Sequence, residues 1–447
     1  MTASRVAHPP SMETLLSSPG AAAALSRYGR EPLKEELRHA MASGETASEA
    51  LIAWAEQSLT RRFAPTLVRA INATGVLLHT NLGRSPLSDP AREAVRDAAA
   101  GYSTLEYDRD TGERGHRQDH VRAGTRALFG VADALAVNNN AAAVLLVLSA
   151  LARGRKVLLS RGELVAIGGS FKIPEILQAS GALLCEVGTT NRTSIEDYRR
   201  ALSSDVALIL TVHPSNYEIR GYTARPDPNE IALLARQAGV PWAHDQGTGC
   251  VVPLSEFGVE GEPTVGDCLA GGADLVTFSG DKLFSGPQTG LVIGRGDLVL
   301  ELAAHPLARA LRPDKLTLAA LAATTTAWIK GEWREFPIYR AAGAPLARLE
   351  ERGEKIREGA TGSSLTIGVT DSESLFGGGT SPEKKFPSRA LAITNPRISA
   401  DQIAARLRAG SPPVIGRIEQ DRLLLDLRSI APEEDGEVVK ALRALPA

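Results

Sequence analysis

The sequence predicts an α/β protein: a large domain on a mostly parallel sheet with helices on both faces, a smaller C-terminal α/β domain, and a helical module in front. Three observations carry that expectation. Seven short apolar runs read as buried strands, at 134–137, 156–159, 183–187, 207–212, 240–244, 275–278 and 291–293. Helical patterns lie between them, at 141–152, 194–202 and 229–239, the last closed by Gly239. Strands separated by connections long enough to hold a helix pair in parallel, and ligands then gather at the carboxyl ends of those strands.

The module comes first along the chain. Leu15, Leu16, Ala22, Leu25, Leu33, Leu37 and Met41 recur at helical spacing among charges, punctuated by Pro19, Gly20, Gly29 and Pro32. At Arg61 to Pro65 the helical pattern stops and a Gly/Asn/Pro-rich stretch begins. After Lys315 a long helix-like run leads into strands at 390–393 and 422–427 and a helix at 400–408. The expected division is a helical module at 1–62, a linker at 63–83, a large domain at 84–325 and a small α/β domain at 326–447. The loop from Phe376 to Lys385 is mobile by composition.

At 447 residues the chain has room for two to three domains of about 150 residues. Its 43% hydrophobic and 23% charged content excludes a mainly disordered, collagenous or coiled-coil chain. Lys+Arg 50 against Asp+Glu 52 leaves no global basic field, so no DNA partner is expected. Cys185, Cys250 and Cys268 show neither a CxxC spacing nor a disulfide framework, which favours buried structural thiols, a reducing compartment and no zinc. The start lacks a signal-peptide pattern and the longest apolar run, 141–148, is too short to cross a bilayer, so the expectation is a soluble cytoplasmic protein.

The chemistry concentrates at 275–290, LVTFSGDKLFSGPQTG. A strand runs into a Ser-Gly turn that presents Lys282, and a lysine held at a strand end in a glycine-rich loop suits Schiff-base chemistry. A solvated surface lysine is the commoner fate of a lone Lys; its neighbours raise this one. Upstream, the strand 240–244 ends in Asp245, where a carboxylate can pair with the protonated pyridine nitrogen of pyridoxal phosphate. A turn aspartate is the alternative. Asn139 and Asn140 open an apolar helix after a strand, a place for phosphate or simply a helix cap. Ser279 could add a hydroxyl to the same phosphate, and Asn216, in His213-Pro214-Ser215-Asn216, would lie near the cofactor's phenolic oxygen. His79, His213 and His244 lack metal-ligand spacing; a satisfied core histidine is the default, although one of them could stack on the cofactor.

That order of phosphate loop, Asn, Asp and Ser-x-x-Lys resembles the aspartate-aminotransferase-like (fold type I) class of pyridoxal-phosphate enzymes. More closely, INATGVLLHTNLGRSPL (71–87), YSTLEYDRDTGERGHR (102–117), SRGELVAIGGSFKIPEIL (160–177), GTTNRT (188–193), HPSNY (213–217) and SGDKLFSGPQTG (279–290) are similar to the bacterial L-seryl-tRNA(Sec) selenium transferases. The resemblance implies a Schiff base of the cofactor with Lys282, which then removes the α-proton of the seryl group. Loss of the β-hydroxyl would give a dehydroalanyl intermediate, to which selenium from selenophosphate adds. Asp281 is a candidate proton handler, or only a loop cap. Arg84, Arg309 and Arg312 are the candidate selenophosphate ligands, the last two expected on one helix face because they stand three apart. The resemblance also implies a module that reads tRNA and a homo-oligomer of five dimers. The segment GGGTSPEKKFPS (377–388) departs from the family's pattern.

Two other functions stay open at this point. A pyridoxal-phosphate lyase of a small amino acid or amino-sugar acid would not require the N-terminal module. A non-enzymatic tRNA-binding protein would not require both Lys282 and Asp245. Charge does not decide, since residues 1–70 hold 8 Lys/Arg and 7 Asp/Glu.

Overall fold

The computed structural model describes residues 10–167, 171–362, 364–377, 379–380 and 384–445. The chain forms two compact units, Met1–Arg69 and Ala70–Ala447. In the first, helices Met12–Leu16, Ala22–Tyr28, Arg30–Ala42 and Ser48–Arg62 bury Leu15, Leu16, Leu33 and Leu37 as the periodicity predicts, together with Leu51 and Leu59, while Leu25 and Met41 are half-buried and Ala22 is exposed. Gly29 takes φ +84° between two helices, a left-handed turn that a side chain disfavours. Buried Glu36 accepts from Ser58 Oγ at 2.8 Å and Arg62 Nη1 at 3.2 Å, which fastens the last two helices together.

The second unit holds all seven expected strands: β1 Asp133–Val137, β2 Lys156–Ser160, β3 Leu183–Val187, β4 Val206–Val212, β5 Trp242–Gly247, β6 Leu275–Ser279 and β7 Gly290–Gly294. They pair in the order β1-β7-β6-β5-β4-β2-β3. Only β7 runs antiparallel to its neighbours. Side-chain alternation explains the continuous apolar runs. In β1, Ala134 and Ala136 face a core that extends along the sheet to Ile231 and Leu234 of helix Pro228–Ala238 and includes Leu318 and Leu321 of helix Lys315–Ile329. Leu135 and Val137 pack on the other face with helix Asn140–Leu151 and with Ile173 and Leu177. With both faces covered, neither side of a strand needs polar residues. The helix Asn140–Leu151 is correspondingly apolar around most of its circumference.

A second sheet is antiparallel: β8 Thr366–Leu375, β9 Lys385–Thr394, β10 Arg417–Glu419 and β11 Arg422–Asp426, in the order β8-β9-β11-β10. Its core joins Leu391, Ile393, Leu423 and Leu425 to Leu349, Ile356 and Ile403 of the covering helices.

Three expectations change here. Residues 71–78 are not a free linker: Ile71–Asn72 pairs in parallel with Val414–Ile415, and Leu77 and Leu78 N–H groups donate to Leu375 and Phe376 carbonyls at 3.0 and 2.8 Å. The 325/326 boundary falls inside helix Lys315–Ile329. Helix Pro306–Ala310 stops before Arg312, so Arg309 and Arg312 do not share a helix face. Of the 376–385 loop, residues 378 and 381–383 lie outside the described residues. Among the described residues no helix is long and apolar enough to cross a membrane, and no cluster of His, Cys, Asp and Glu could hold a metal.

Candidate active site

The carboxyl ends of β1, β4, β5 and β6 share one sheet edge, and the apolar strands deliver polar residues there. Asp245, 2% exposed in β5, accepts from Asn140 Nδ2 at 2.8 Å and Thr277 Oγ1 at 3.1 Å, both on Oδ1. Burial pushes its carboxyl above the ordinary range, and the Asn140 hydrogen bond and the Lys282 charge work against that rise. Lys282 sits in the turn after β6 and is 5% exposed. Burial first, then the Arg84 guanidinium, lowers its ammonium pKa, while Asp245, Asp281 and Glu262 oppose the shift. The neutral amine that attacks an aldehyde is favoured by that setting.

Two loops far apart in sequence close over this lysine. Arg84 Nη1 donates to Asp281 Oδ2 at 2.7 Å, Ser85 N–H donates to the Asp281 carbonyl at 3.2 Å, and the Ser85 and Ser285 hydroxyls meet at 2.9 Å. Arg84 and Ser285 both hold φ +60°, a region that side chains adopt at a cost and keep only where contacts fix them. Arg84 Nε is buried and has no hydrogen-bond partner, so one donor of this guanidinium remains for a ligand. A third segment completes the enclosure. Gly379, at φ +84°, comes so close that an added Cβ would lie 3.3 Å from Lys282 Nζ and 3.7 Å from Ser215 Oγ.

The other expected residues are placed as follows. Asn139 is the cap of helix Asn140–Leu151, its Oδ1 accepting from Ala142 N–H at 2.9 Å, so its side chain is committed to the helix. The first intrahelical bond there runs from Ala143 N–H to the Asn139 carbonyl, which leaves the amides of Asn140 and Ala141 directed at the sheet edge. Gly290 of β7 abuts this turn: a Cβ there would lie 2.1 Å from the Asn139 carbonyl oxygen. Ser279 is buried at the end of β6. Asn216 donates Nδ2 to the Ala166 carbonyl at 3.0 Å and keeps Oδ1 buried without a partner, so it presents an acceptor. Arg309 is exposed. Arg312 follows Leu311, whose carbonyl accepts from Asn138 N–H at 2.9 Å, and its Nη1 lies 3.7 Å from Glu106 Oε1.

Several residues at this edge carried no signal in sequence. Thr277 and Ser215 are unremarkable until the strands align. Glu163, buried at the end of a short turn after β2, accepts from Val212 N–H at 2.9 Å, and burial raises its carboxyl to about 7. His213 Nε2 lies 3.3 Å from Glu262 Oε2, which fixes the ring beside the site. His244 is a core histidine: Thr211 Oγ1 lies 2.7 Å from its Nδ1, and burial lowers its pKa to about 3. Cys250 and Cys268 are buried and their thiol pKa values raised, chiefly by burial, while Cys185 is half-buried.

A buried amine, a buried carboxylate with hydrogen-bonded orientation, two unspent helix amides and a hydroxyl at one sheet edge fit pyridoxal phosphate. Residues 70–431 match the family described as L-seryl-tRNA selenium transferase. The L-seryl-tRNA(Sec) selenium transferase of Hyphomonas neptunium is 42% identical over 98% of this chain and 98% of its own length. That of Moorella thermoacetica is 48% identical over 83% and 80%. Among solved structures, D-glucosaminate-6-phosphate ammonia-lyase superposes with a TM-score of 0.60 at 19% identity, covering 86% of this chain and 97% of that one, a likeness of fold. The architecture, a large mostly parallel sheet with a smaller antiparallel one, is the fold of that ammonia-lyase. With the family matched over most of its length and these relatives covered over 98% and 80% of theirs, the chain belongs to the L-seryl-tRNA selenium transferase family.

Proposed function

We propose that this chain converts the seryl group of L-seryl-tRNA(Sec) into a selenocysteinyl group, with selenophosphate as the selenium donor. The observation that carries the reading is the meeting of Lys282, Asp245 and the Arg84–Asp281 pair at one sheet edge in a chain of this family. Pyridoxal phosphate, when bound, supplies an aldehyde for the seryl amine and an electron sink for its α-carbon. The chain's own groups do the rest. Lys282, favoured as the neutral amine, takes the α-proton. Asp245, oriented by Asn140 and Thr277, would pair with the pyridine nitrogen. The Asn140 and Ala141 amides and the Ser279 hydroxyl would hold the cofactor phosphate, with Asn139 capping their helix. Asn216 Oδ1 would accept from the phenolic group.

Asp281 handles the proton of the departing β-hydroxyl. Arg84 bridges the two half-reactions, because one nitrogen holds Asp281 while Nε stays open to an anion. Arg309 and Arg312 add charge for selenophosphate, Arg312 from just beside the Asn138–Asn140 turn. The first unit reads the tRNA, the enzyme works as a homo-oligomer of dimers, five in the resembled family, and it acts in the cytoplasm where its tRNA is charged.

The test is to incubate the cofactor-loaded protein with seryl-tRNA(Sec) and selenophosphate, then identify the amino acid released from the RNA. Selenocysteine is expected. Unchanged serine on the RNA, with ammonia released from a free small amino acid, would establish the lyase instead.

A further inference from the structure

A cleft of about 240 Å³ opens beside the cofactor edge, between the ends of β2 and β4. Ser160 closes β2 and Pro214 follows β4, so the cleft stands at the same edge as Asp245. The turn His213 to Tyr217 separates the two spaces. Pro214 and Tyr217 face the cleft, whereas Ser215, between them, lies near Gly379 and the Lys282 amine. A group in the cleft is therefore one turn of chain away from the reacting carbon.

The walls have a definite chemistry. Thr190, Asn191 and Thr223 offer neutral donors and acceptors, the Tyr217 ring and Ile219 offer apolar surface, and Arg225 adds a cation. Glu218 is engaged by Arg220 at 2.9 Å. Beside the mouth, Tyr222 is 77% exposed, and the Arg192 guanidinium stands 3.9 Å over its ring. Asn191 Nδ2 donates to the Tyr222 carbonyl at 2.5 Å, which ties that ring to the cleft wall. A solvent-facing aromatic ring backed by a guanidinium is a stacking platform for a nucleobase, with a cation at hand for its phosphate. The volume is below the roughly 300–1,000 Å³ of pockets that enclose a whole drug-sized ligand, so it suits one sugar or base with the remainder outside.

We propose that this cleft holds the 3′-terminal nucleoside of the aminoacylated RNA, with Tyr222 stacking the neighbouring base and Arg192 and Arg225 meeting the intervening phosphate. The assignment rests on the reading above that the substrate is a seryl-tRNA. In that substrate the seryl group is esterified to the terminal ribose, so a seryl amine held at the cofactor obliges the ribose to lie close by. The cleft is the hydroxyl-rich space adjoining the cofactor edge.

The test uses full-length, cofactor-loaded protein and two RNAs: tRNA(Sec), and the same tRNA lacking its 3′-terminal nucleoside. Tyr222 and Arg225 are exposed, so Tyr222→Ala and Arg225→Gln leave the core intact, and unchanged cofactor absorbance confirms it. Each variant is expected to weaken binding of the intact tRNA by about five- to twentyfold, to leave binding of the shortened tRNA within about twofold, and to leave the selenophosphate KM unchanged. Equal weakening toward both RNAs, or no weakening toward either, overturns the cleft assignment while the seryl-tRNA reading stands. Failure of the wild-type protein to bind either RNA overturns both together.

Discussion

Replacing Glu163 by glutamine isolates a stability cost that the structure places beside the active edge. The Glu163 carboxyl is buried, accepts one hydrogen bond from Val212 N–H, and is raised from 4.5 to about 7, chiefly by burial against the opposing Val212 bond and the Arg225 charge. Between those two pH values the folded chain keeps a proton that the unfolded chain has released, so stability falls as pH rises through the window. The rise is about 2.5 pH units, and at about 1.4 kcal/mol per unit the penalty reaches about 3 kcal/mol above pH 7 and vanishes below 4.5. Glutamine keeps the acceptor for Val212 and has no charge to bury. The variant should therefore exceed the wild type by about 3 kcal/mol at pH 8 and by only about 1 kcal/mol at pH 5. Urea unfolding of both proteins at equal concentration, at pH 5, 6, 7 and 8, measures the difference. Parallel pH profiles would show that Glu163 is ionised and compensated in the folded state, and would refute the reasoning.

Other expectations address the chemistry more directly. Borohydride reduction should fix the cofactor to the peptide containing Lys282, and Lys282→Ala should abolish labelling and turnover with an unchanged circular dichroism spectrum; a label on another lysine overturns the assignment. Arg312→Ala should weaken use of selenophosphate about tenfold to hundredfold, the value of a charge-assisted contact, while elimination of the β-hydroxyl proceeds; equal loss in both steps would assign the arginine to structure, through Glu106. Gly379→Ala forces a side chain into φ +84° and against the Lys282 amine, so kcat should fall at least about tenfold with the melting temperature within a few degrees of wild type. Removing residues 1–69 should leave a coloured, cofactor-bound second unit whose affinity for seryl-tRNA is sharply lower, and the lost affinity should be the salt-sensitive part; undiminished affinity would count against the module as tRNA reader.

Most strands of the large sheet were legible because burial on both faces leaves them largely apolar runs, and the exposed edge strand Leu183–Val187 was legible from its own short run of Leu, Cys and Val. The same rule hid Thr366–Leu375. It lies at an edge, half exposed along most of its length, and its sequence TIGVTDSESL carries no such run. Lys282 and Asp245 could be read because strand ends imply a shared edge. The Arg84–Asp281 pair could not, since its partners stand 197 residues apart and nothing local marks either as paired. Spacing misled at Arg309 and Arg312: three residues apart defines a shared face only while the helix continues, and Leu311 leaves it at ψ 6°. Glu163 stayed hidden because a carboxylate in a polar-looking turn resembles a solvated one until the fold buries it.

The path of residues 71–85 explains how the second sheet bears on the chemistry. Before reaching Lys282 the chain is held at three places: by Val414–Ile415, by Asp426, whose N–H donates to the Ala73 carbonyl at 2.8 Å, and by Leu375 and Phe376. Asp426 is fully buried and gathers Ser372, Ser374, Ser388 and Arg417 on its two oxygens, while Arg417 also donates to the Thr74 carbonyl at 2.7 Å. An isolated buried carboxylate is expensive, so this cluster holds together as a unit or not at all. From that anchor the chain runs to Arg84, whose left-handed backbone is retained by the Asp281 contact. The Gly377–Thr380 turn leaves the end of β8, next to the same anchor, and brings Gly379 to the lysine amine. Two of the segments that enclose Lys282, those carrying Arg84 and Gly379, are therefore positioned by the antiparallel sheet, while the lysine's own loop and Asp245 belong to the parallel one. The geometry around Lys282 depends on how firmly two sheets are joined, and the joint is the buried Asp426 cluster together with the 71–78 strand pairings.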